Sequence, residues 1–561
     1  MESELLPLSL TLENRIGIRR GVLLVLVLFL LLCLPWLTSQ RELFRQEGLY
    51  AAVAADYVEN QWNPASGLYA RAHNVPQNDV WPLYPALVSL LYRCNIPMES
   101  ALRIISAVML GILSLMAGIA AGIRINKRAG IVAACCCFGT VFAMQKGIYG
   151  GPEVMAACFL LAAQLLFFHY GSRLADWNSA WIASAIFLSL GFLTSGPLVL
   201  LFFVMPLVFL RRPLSFAGKF RTPGFLAGVV LLAVVVIFWA LPLGVTFRHY
   251  AGNAELQMIS TGEYWKEVLL FPLEFPVRMM PWTLIMWMPF CVALQANTPA
   301  PVFCRYLRTL FFSMLALVWL IPGISSSNIF FLLGPLAILT ALSYELGVRR
   351  YGRFIRKALI VCGFFFPVSL LLIAAVTFLP QQWLAVFGEP AKMVFRSEIP
   401  GYICLSLGGM LVLTGICAFY AYGIRRFPVW TLPVLLCFGF GVVATVMFLP
   451  YRLMEKEWRI LGMDVRKVLP ENTERLYKYE IEGMYCGLFY VGKPIYKLSS
   501  SDELARLPEE TVYVVSSRLP LSPERVWTPL LPDDYTCRGV PVSVWRGVLR
   551  HEEEYLDAED E

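Results

Sequence analysis

The sequence is short of charge: of its 561 residues only 15% are Asp, Glu, Lys or Arg, against roughly 25% in soluble domains. With 58% hydrophobic residues and a mean hydropathy of +0.64, this excludes an ordinary soluble protein, a disordered chain and a collagen. Histidine is nearly missing, with only four in the chain. None of His73, His169, His249 and His551 stands at ligand spacing from another, which disfavours a histidine-based metal site. No Gly-Lys phosphate loop, dinucleotide fingerprint or zinc-ligand spacing occurs. A basic face is missing too: the net charge of +7 is spread over many short loops, so nucleic acid is not an expected partner.

What fills the sequence is apolar runs near the roughly 20 residues needed to cross a bilayer. They lie at about 21–38, 101–123, 130–144, 154–170, 179–194, 197–210, 224–243, 282–296, 309–322, 329–347, 358–379, 402–422 and 428–450. That is about thirteen candidate spans, several of them short. The first follows Arg15, Arg19 and Arg20 as a signal peptide would. Leu37-Thr38-Ser39-Gln40 lacks a small-residue cleavage pattern, however, so a retained helix with a cytoplasmic N-terminus is expected.

The distribution of basic loops supports this count. Arg124, Lys127 and Arg128, then Arg211, Arg212, Lys219 and Arg221, then Arg305 and Arg308, then Arg349 to Lys357, then Arg425 and Arg426 all fall on the N-terminal side. Most of the 14 cysteines lie in apolar runs and read as small buried hydrophobes. Cys486 and Cys537 lie in the polar C-terminal segment, where a disulfide and two free thiols are equally open.

These features predict an α-helical polytopic membrane domain over 1–450 and a small α/β domain over 451–561 on the outer side. The β-like runs Gly487–Val491 and Thr511–Val515 mark the latter, and His551–Glu561 reads as an acidic, frayed end. Two outer loops are long, 39–100 and 244–281, and both are rich in aromatic residues suited to interfacial segments. Long ordered loops are where function concentrates.

The first long loop carries Gln46-Glu47-Gly48-Leu49-Tyr50 at the start of a helical stretch. Glu47 is there either as a general base for a hydroxyl or as a helix-capping acid. Glu153, behind Gly150-Gly151-Pro152, opens the fourth span on the same side, again as a functional acid or a partner of the helix dipole. Asp79 precedes the turn Trp81-Pro82-Leu83-Tyr84-Pro85 and is either a turn acid or a contact for an acceptor or ion, so a carboxylate-held divalent cation stays open. Among the outer cations, Arg103 and Arg278 stand at the mouth of the bundle, where charge is costly unless paired; Arg71 and Lys146 are further candidates.

In arrangement the chain resembles the GT-C membrane glycosyltransferases, and within them the bacterial aminoarabinose transferases and protein O-mannosyltransferases. The resemblance rests on Gln46-Glu47-Gly48-Leu49-Tyr50-Ala51, Pro82-Leu83-Tyr84, Arg103, Glu153, Leu193-Thr194-Ser195-Gly196-Pro197, Pro281-Trp282, Ser325 to Pro335, and Phe489-Tyr490. The chain departs from the family at charged positions. Gln46 stands at the usual Asp, and Val80 or a neighbour, Ser195 and Asn328 stand where the family has lysines.

The resemblance implies transfer of a sugar from a polyprenyl-phosphate donor to a lipid, protein or glycan acceptor on the periplasmic face of a bacterial inner membrane. It implies Glu47 as base, Glu153 orienting the acceptor or sharing that role, Gln46, Tyr50, Asp79 and Tyr84 around the substrates, and Arg103 and Arg278, or Arg71 and Lys146, on the phosphate. Two other readings stay open: a lipid or sugar transporter, which would show repeated halves and polar residues at the midplane, and a catalytically degenerate scaffold.

Overall fold

The computed structural model describes residues 18–39, 41–44, 46–59, 70–77, 80–210, 219–240, 261–295, 300–321, 326–377, 431–454, 456–481, 483–498, 500–520, 522, 524–532 and 535–549. The chain divides into two compact units. One comprises Met1–Ser39 and Arg103–Met454, the other Gln40–Leu102 and Glu455–Glu561.

The first unit is a bundle of helices. Among the described residues six helices are long and apolar enough to cross a membrane: Gly21–Thr38, Met98–Arg124, Glu153–Arg173, Trp177–Ser195, Pro301–Leu320 and Phe330–Val348. The chain is therefore an integral membrane protein. Shorter apolar helices occupy Pro197–Val208, Pro223–Phe238 and Pro433–Thr445. The bundle interior packs Phe167, Phe202, Trp282, Tyr306 and Phe330. Large apolar residues such as Leu226 and Phe238 face outward, two-thirds exposed, as a lipid-facing surface requires.

Several expected spans take another form. The run at 130–144 breaks at Gly139 into the helices Lys127–Phe138 and Val141–Lys146. Each piece has its own cap: Ala129 N donates to Asn126 Oδ1 at 2.9 Å and Ala143 N to Thr140 Oγ1 at 3.0 Å. The run at 282–296 is no span but a chain of short turns, Thr283–Met286, Met288–Phe290 and Val292–Gln295, broken where Pro289 lacks an amide donor. The runs at 329–347 and 358–379 fall in two successive helices within Phe330–Thr377, which meet at the non-helical residue Tyr351. The run at 428–450 falls in the helix Thr431–Met454. The run at 402–422 lies outside the described residues.

In the second unit the first long loop supplies the helices Glu47–Glu59 and Leu83–Arg93. Between them is the hairpin of β1 (Arg71–Ala72) and β2 (Val75–Pro76). The C-terminal segment supplies β3 (Leu476–Tyr479), β4 (Ile495–Leu498), β5 (Thr511–Ser516), β6 (Arg525–Pro529), β7 (Thr536–Cys537), β8 (Val540–Pro541) and β9 (Ser543–Leu549). The main sheet has the order β4-β3-β5-β9-β6, with β3 parallel to β4 and β5, and β9 antiparallel to β5 and β6.

The strand expected at 511–515 is thus β5. The one expected at 487–491 is instead the end of a helix, Tyr485–Phe489, packed between the helices Glu47–Glu59 and Glu457–Val468. A short apolar run has no periodicity to separate helix from strand, and tertiary packing decides it.

Candidate functional site

The site residues expected from sequence divide between the two units. Gln46, Glu47, Tyr50, Arg71 and Tyr84 belong to the second, and Arg103, Lys146, Glu153 and Arg278 to the first. Asp79 lies outside the described residues.

In the second unit Glu47 opens the helix Glu47–Glu59 and is only 2% exposed. Its backbone N–H donates to Phe44 O and its Oε2 accepts from Phe44 N, both at 3.0 Å, so the side chain reaches back over the helix start. Gln46, one residue earlier, is exposed; its carbonyl accepts from Tyr50 N at 3.1 Å. Gly48 lies against the backbone of Cys486, so close that a Cβ would overlap it. That approach brings the Cys486 thiol into the electrostatic field of Glu47 and Glu42, and burial above all pushes it up to about 12. Tyr50 and Tyr84 meet edge to face at 5.4 Å, and Tyr84 OH donates to Leu102 O at 2.9 Å. Arg71 lies in β1, and its buried Nε has no hydrogen-bond acceptor among the described residues.

The sequence reading missed the ionic cluster beside Glu47. Glu42, 4% exposed, accepts from Arg538 Nη2 at 2.9 Å and from the backbone N–H of Arg459 at 3.1 Å. Burial nonetheless outweighs these partners and raises its carboxyl above the usual range. Arg459 also bonds Glu99 at 3.1 Å and lies over the Tyr490 ring. The Tyr490 hydroxyl accepts from Leu43 N at 2.8 Å. No local pattern announces these pairs, because Glu42 and Arg538 are 496 positions apart.

Cys486 and Cys537 are both free and buried, so no disulfide joins them. Cys537 Sγ lies 3.7 Å from Glu457 O instead.

His73 is in the same unit, at the β1–β2 turn. Burial, with Lys478 and Lys497 nearby, lowers it to about 3, which leaves it neutral and a poor base.

In the first unit Ser106, one turn beyond Arg103 on the same helix, ties Gly151 down. Gly151 N donates to Ser106 Oγ at 3.2 Å, and Ser106 Oγ lies 3.1 Å from Gly151 O. Glu153 begins the next helix and folds its carboxylate over Gly151, where a Cβ would occupy the same space. Arg103 is 1% exposed, a charge that burial makes expensive unless it is satisfied. Lys146 and Arg278 approach one ring, Phe142, at 5.8 and 5.9 Å. Arg278 is also paired with Glu274 one turn back on its helix. Among the described residues no three Asp, Glu, His or Cys side chains converge as metal ligands.

No family model matches the sequence, and no curated protein matches it. The match is in three dimensions: the chain has the GT-C fold of the sequence resemblance. It aligns with the crystal structure of ArnT from Cupriavidus metallidurans in the apo state, with a TM-score of 0.69 and 16% identity, over 94% of this chain and 97% of that one. For ArnT bound to undecaprenyl phosphate the TM-score is 0.66 at the same identity and coverage. At 16% identity the likeness establishes the fold. AglB from Archaeoglobus fulgidus, in complex with an inhibitory peptide and a dolichol-phosphate, gives a TM-score of 0.46 at 11% identity over 89% of this chain and 69% of that one, too distant to carry an argument.

Proposed function

We propose that the protein is a glycosyltransferase that moves a sugar from a polyprenyl-phosphate donor to a lipid, protein or glycan acceptor at the periplasmic face of a bacterial inner membrane. The observation that carries this reading is the ArnT-like fold along 94% of the chain, joined to a buried carboxylate, Glu47, at the position where the resemblance expects the acid.

In this reaction the acceptor hydroxyl gives its proton to Glu47 as its oxygen bonds to the anomeric carbon. The bond from that carbon to the phosphate oxygen breaks, its electron pair leaves with the lipid phosphate, and the configuration inverts. Positive charge develops on the sugar ring and negative charge on the leaving phosphate. Glu153 is assigned to orient the acceptor or share the base role, and Arg103 and Arg278 to bind the phosphate, with Arg71 and Lys146 as alternates. Gln46, Tyr50, Asp79 and Tyr84 are assigned to the surroundings of the substrates. The N-terminus is placed in the cytoplasm and residues 451–561 in the periplasm.

The bond from Phe44 N to Glu47 favours a second reading, in which Glu47 is a cap and the protein a degenerate scaffold. One substitution separates the two. Glu47→Gln keeps an oxygen for the Phe44 N–H but cannot take a proton. Purified protein is incubated with radiolabelled polyprenyl-phosphate sugars and a membrane extract. Transfer of label by wild type and its loss in Glu47→Gln supports the transferase; no transfer by either, with donor lipid still bound, supports the scaffold.

A further inference from the structure

A cavity of about 970 Å³ opens in the first unit beside the helices Pro197–Val208 and Pro301–Leu320. Arg305, Arg308, Thr309, Phe312 and Ser313 line it from one face of the second helix, and Met205 closes it from the first. It lies far from Arg103. Arg124, at the end of the helix that carries Arg103, sits 5.0 Å over Phe303, two residues before Arg305. The 21 residues from Arg103 to Arg124 place the two ends about 30 Å apart at the rise of an α-helix.

The lining is graded. Among the described residues neither Arg305 nor Arg308 is paired with a carboxylate, and Arg308 spends only its Nε, on Cys304 O at 3.3 Å. Thr309 Oγ1 donates inward to Arg305 O at 3.0 Å and Ser313 Oγ to Thr309 O at 2.7 Å. Their hydroxyl protons are committed to the helix, so they offer lone pairs to a ligand. Beyond them the surface is apolar, with Phe312 53% exposed.

Two cations at one end and an apolar wall at the other match an anionic amphiphile. We propose that this cavity binds an anionic glycerophospholipid. The phosphate is held by Arg305 and Arg308, and an acyl chain lies along Met205 and Phe312.

The test uses the full-length protein in nanodiscs of equal phosphatidylglycerol and phosphatidylcholine, with retained lipid counted by native mass spectrometry. Wild type is expected to retain at least tenfold more phosphatidylglycerol than phosphatidylcholine. Arg305→Gln/Arg308→Gln is expected to lose at least fivefold of that preference, and Arg350→Gln, an exposed cation elsewhere, to keep it. Ala316→Phe narrows the cavity and leaves both arginines, so it should show the same loss even if the double variant does not fold. Equal retention of the two lipids overturns the proposal. So does an equal loss in Arg350→Gln, which would mean diffuse surface charge, or displacement by equimolar undecaprenyl phosphate, which would mean a carrier-lipid site.

Discussion

The two units bury charge differently. Among the described residues, Arg103 is the single charged side chain buried in the first unit, whereas the second buries Arg41, Glu42, Glu47, Lys478 and Arg525. The first has a lipid-facing exterior and gains its order from close packing of apolar faces, where an ion has little to recommend it. The second is a small α/β body that joins two stretches of chain far apart in sequence, and it fixes their register with directed bonds. Arg538 holds Glu42, Arg459 bridges to Glu99, and Arg525 donates to the carbonyls of Leu507 and Glu509. Apolar packing tolerates sliding by a methylene; an ion pair with its hydrogen bonds does not.

Changes in the second unit should therefore be the more severe. The largest effect is expected from Glu47→Gln, which should lower the transfer rate by about 10²–10⁴-fold, the usual contribution of a general base, while the unfolding transition stays in place. Arg538→Met removes the ion pair from the buried Glu42 carboxylate and should cost about 3–5 kcal/mol, seen as faster hydrogen exchange in residues 41–44 and 457–468. Gly48→Ala pushes a methyl into the Cys486 backbone and should cost about 1–3 kcal/mol by the same measurement.

A pH series on wild type and His73→Asn isolates the His73 contribution by difference, since Glu42 titrates in both. The folded value of His73 is about 3 against an ordinary 6.5, so below pH 6.5 the unfolded chain binds the proton and the folded one does not. The His73 contribution to the stability of the second unit should fall with acid by up to about 1.4 kcal/mol per pH unit until about pH 3, and be constant above 6.5. His73→Asn should flatten that slope. Glu99→Gln should be the mildest, about 0–1 kcal/mol, because this pair is partly open to water. If it matched Arg538→Met, the contrast between buried and exposed pairs would fail.

The same contrast governs what sequence alone made legible. Membrane spans are written locally, as runs of apolar residues with basic ends, and the helices Gly21–Thr38, Glu153–Arg173 and Trp177–Ser195 fall where those runs lie. The reading erred where caps and prolines interrupt a run. Thr140 restarts a helix inside 130–144, and Pro289 breaks up 282–296. Of the candidate site, Glu47 was visible as an acid at a helix start and Glu153 as an acid behind a glycine pair. The Glu42–Arg538 pair was not, since nothing in either neighbourhood points to the other. Nor was the helix at Tyr485–Phe489, which takes its form from the two helices it packs between.

That pairing also sets a timetable for biogenesis. The ribosome delivers Glu42 early and Arg538 496 residues later, an interval of roughly 25–100 s at synthesis rates of about 5–20 residues per second. Until residues 486–538 have been made, the helix bearing Glu47 has no Cys486 backbone beside it and Glu42 has no Arg538. The unit that carries the proposed base is thus completed only after the bundle has been made, and a ribosome that stops before residue 538 leaves a membrane bundle without it.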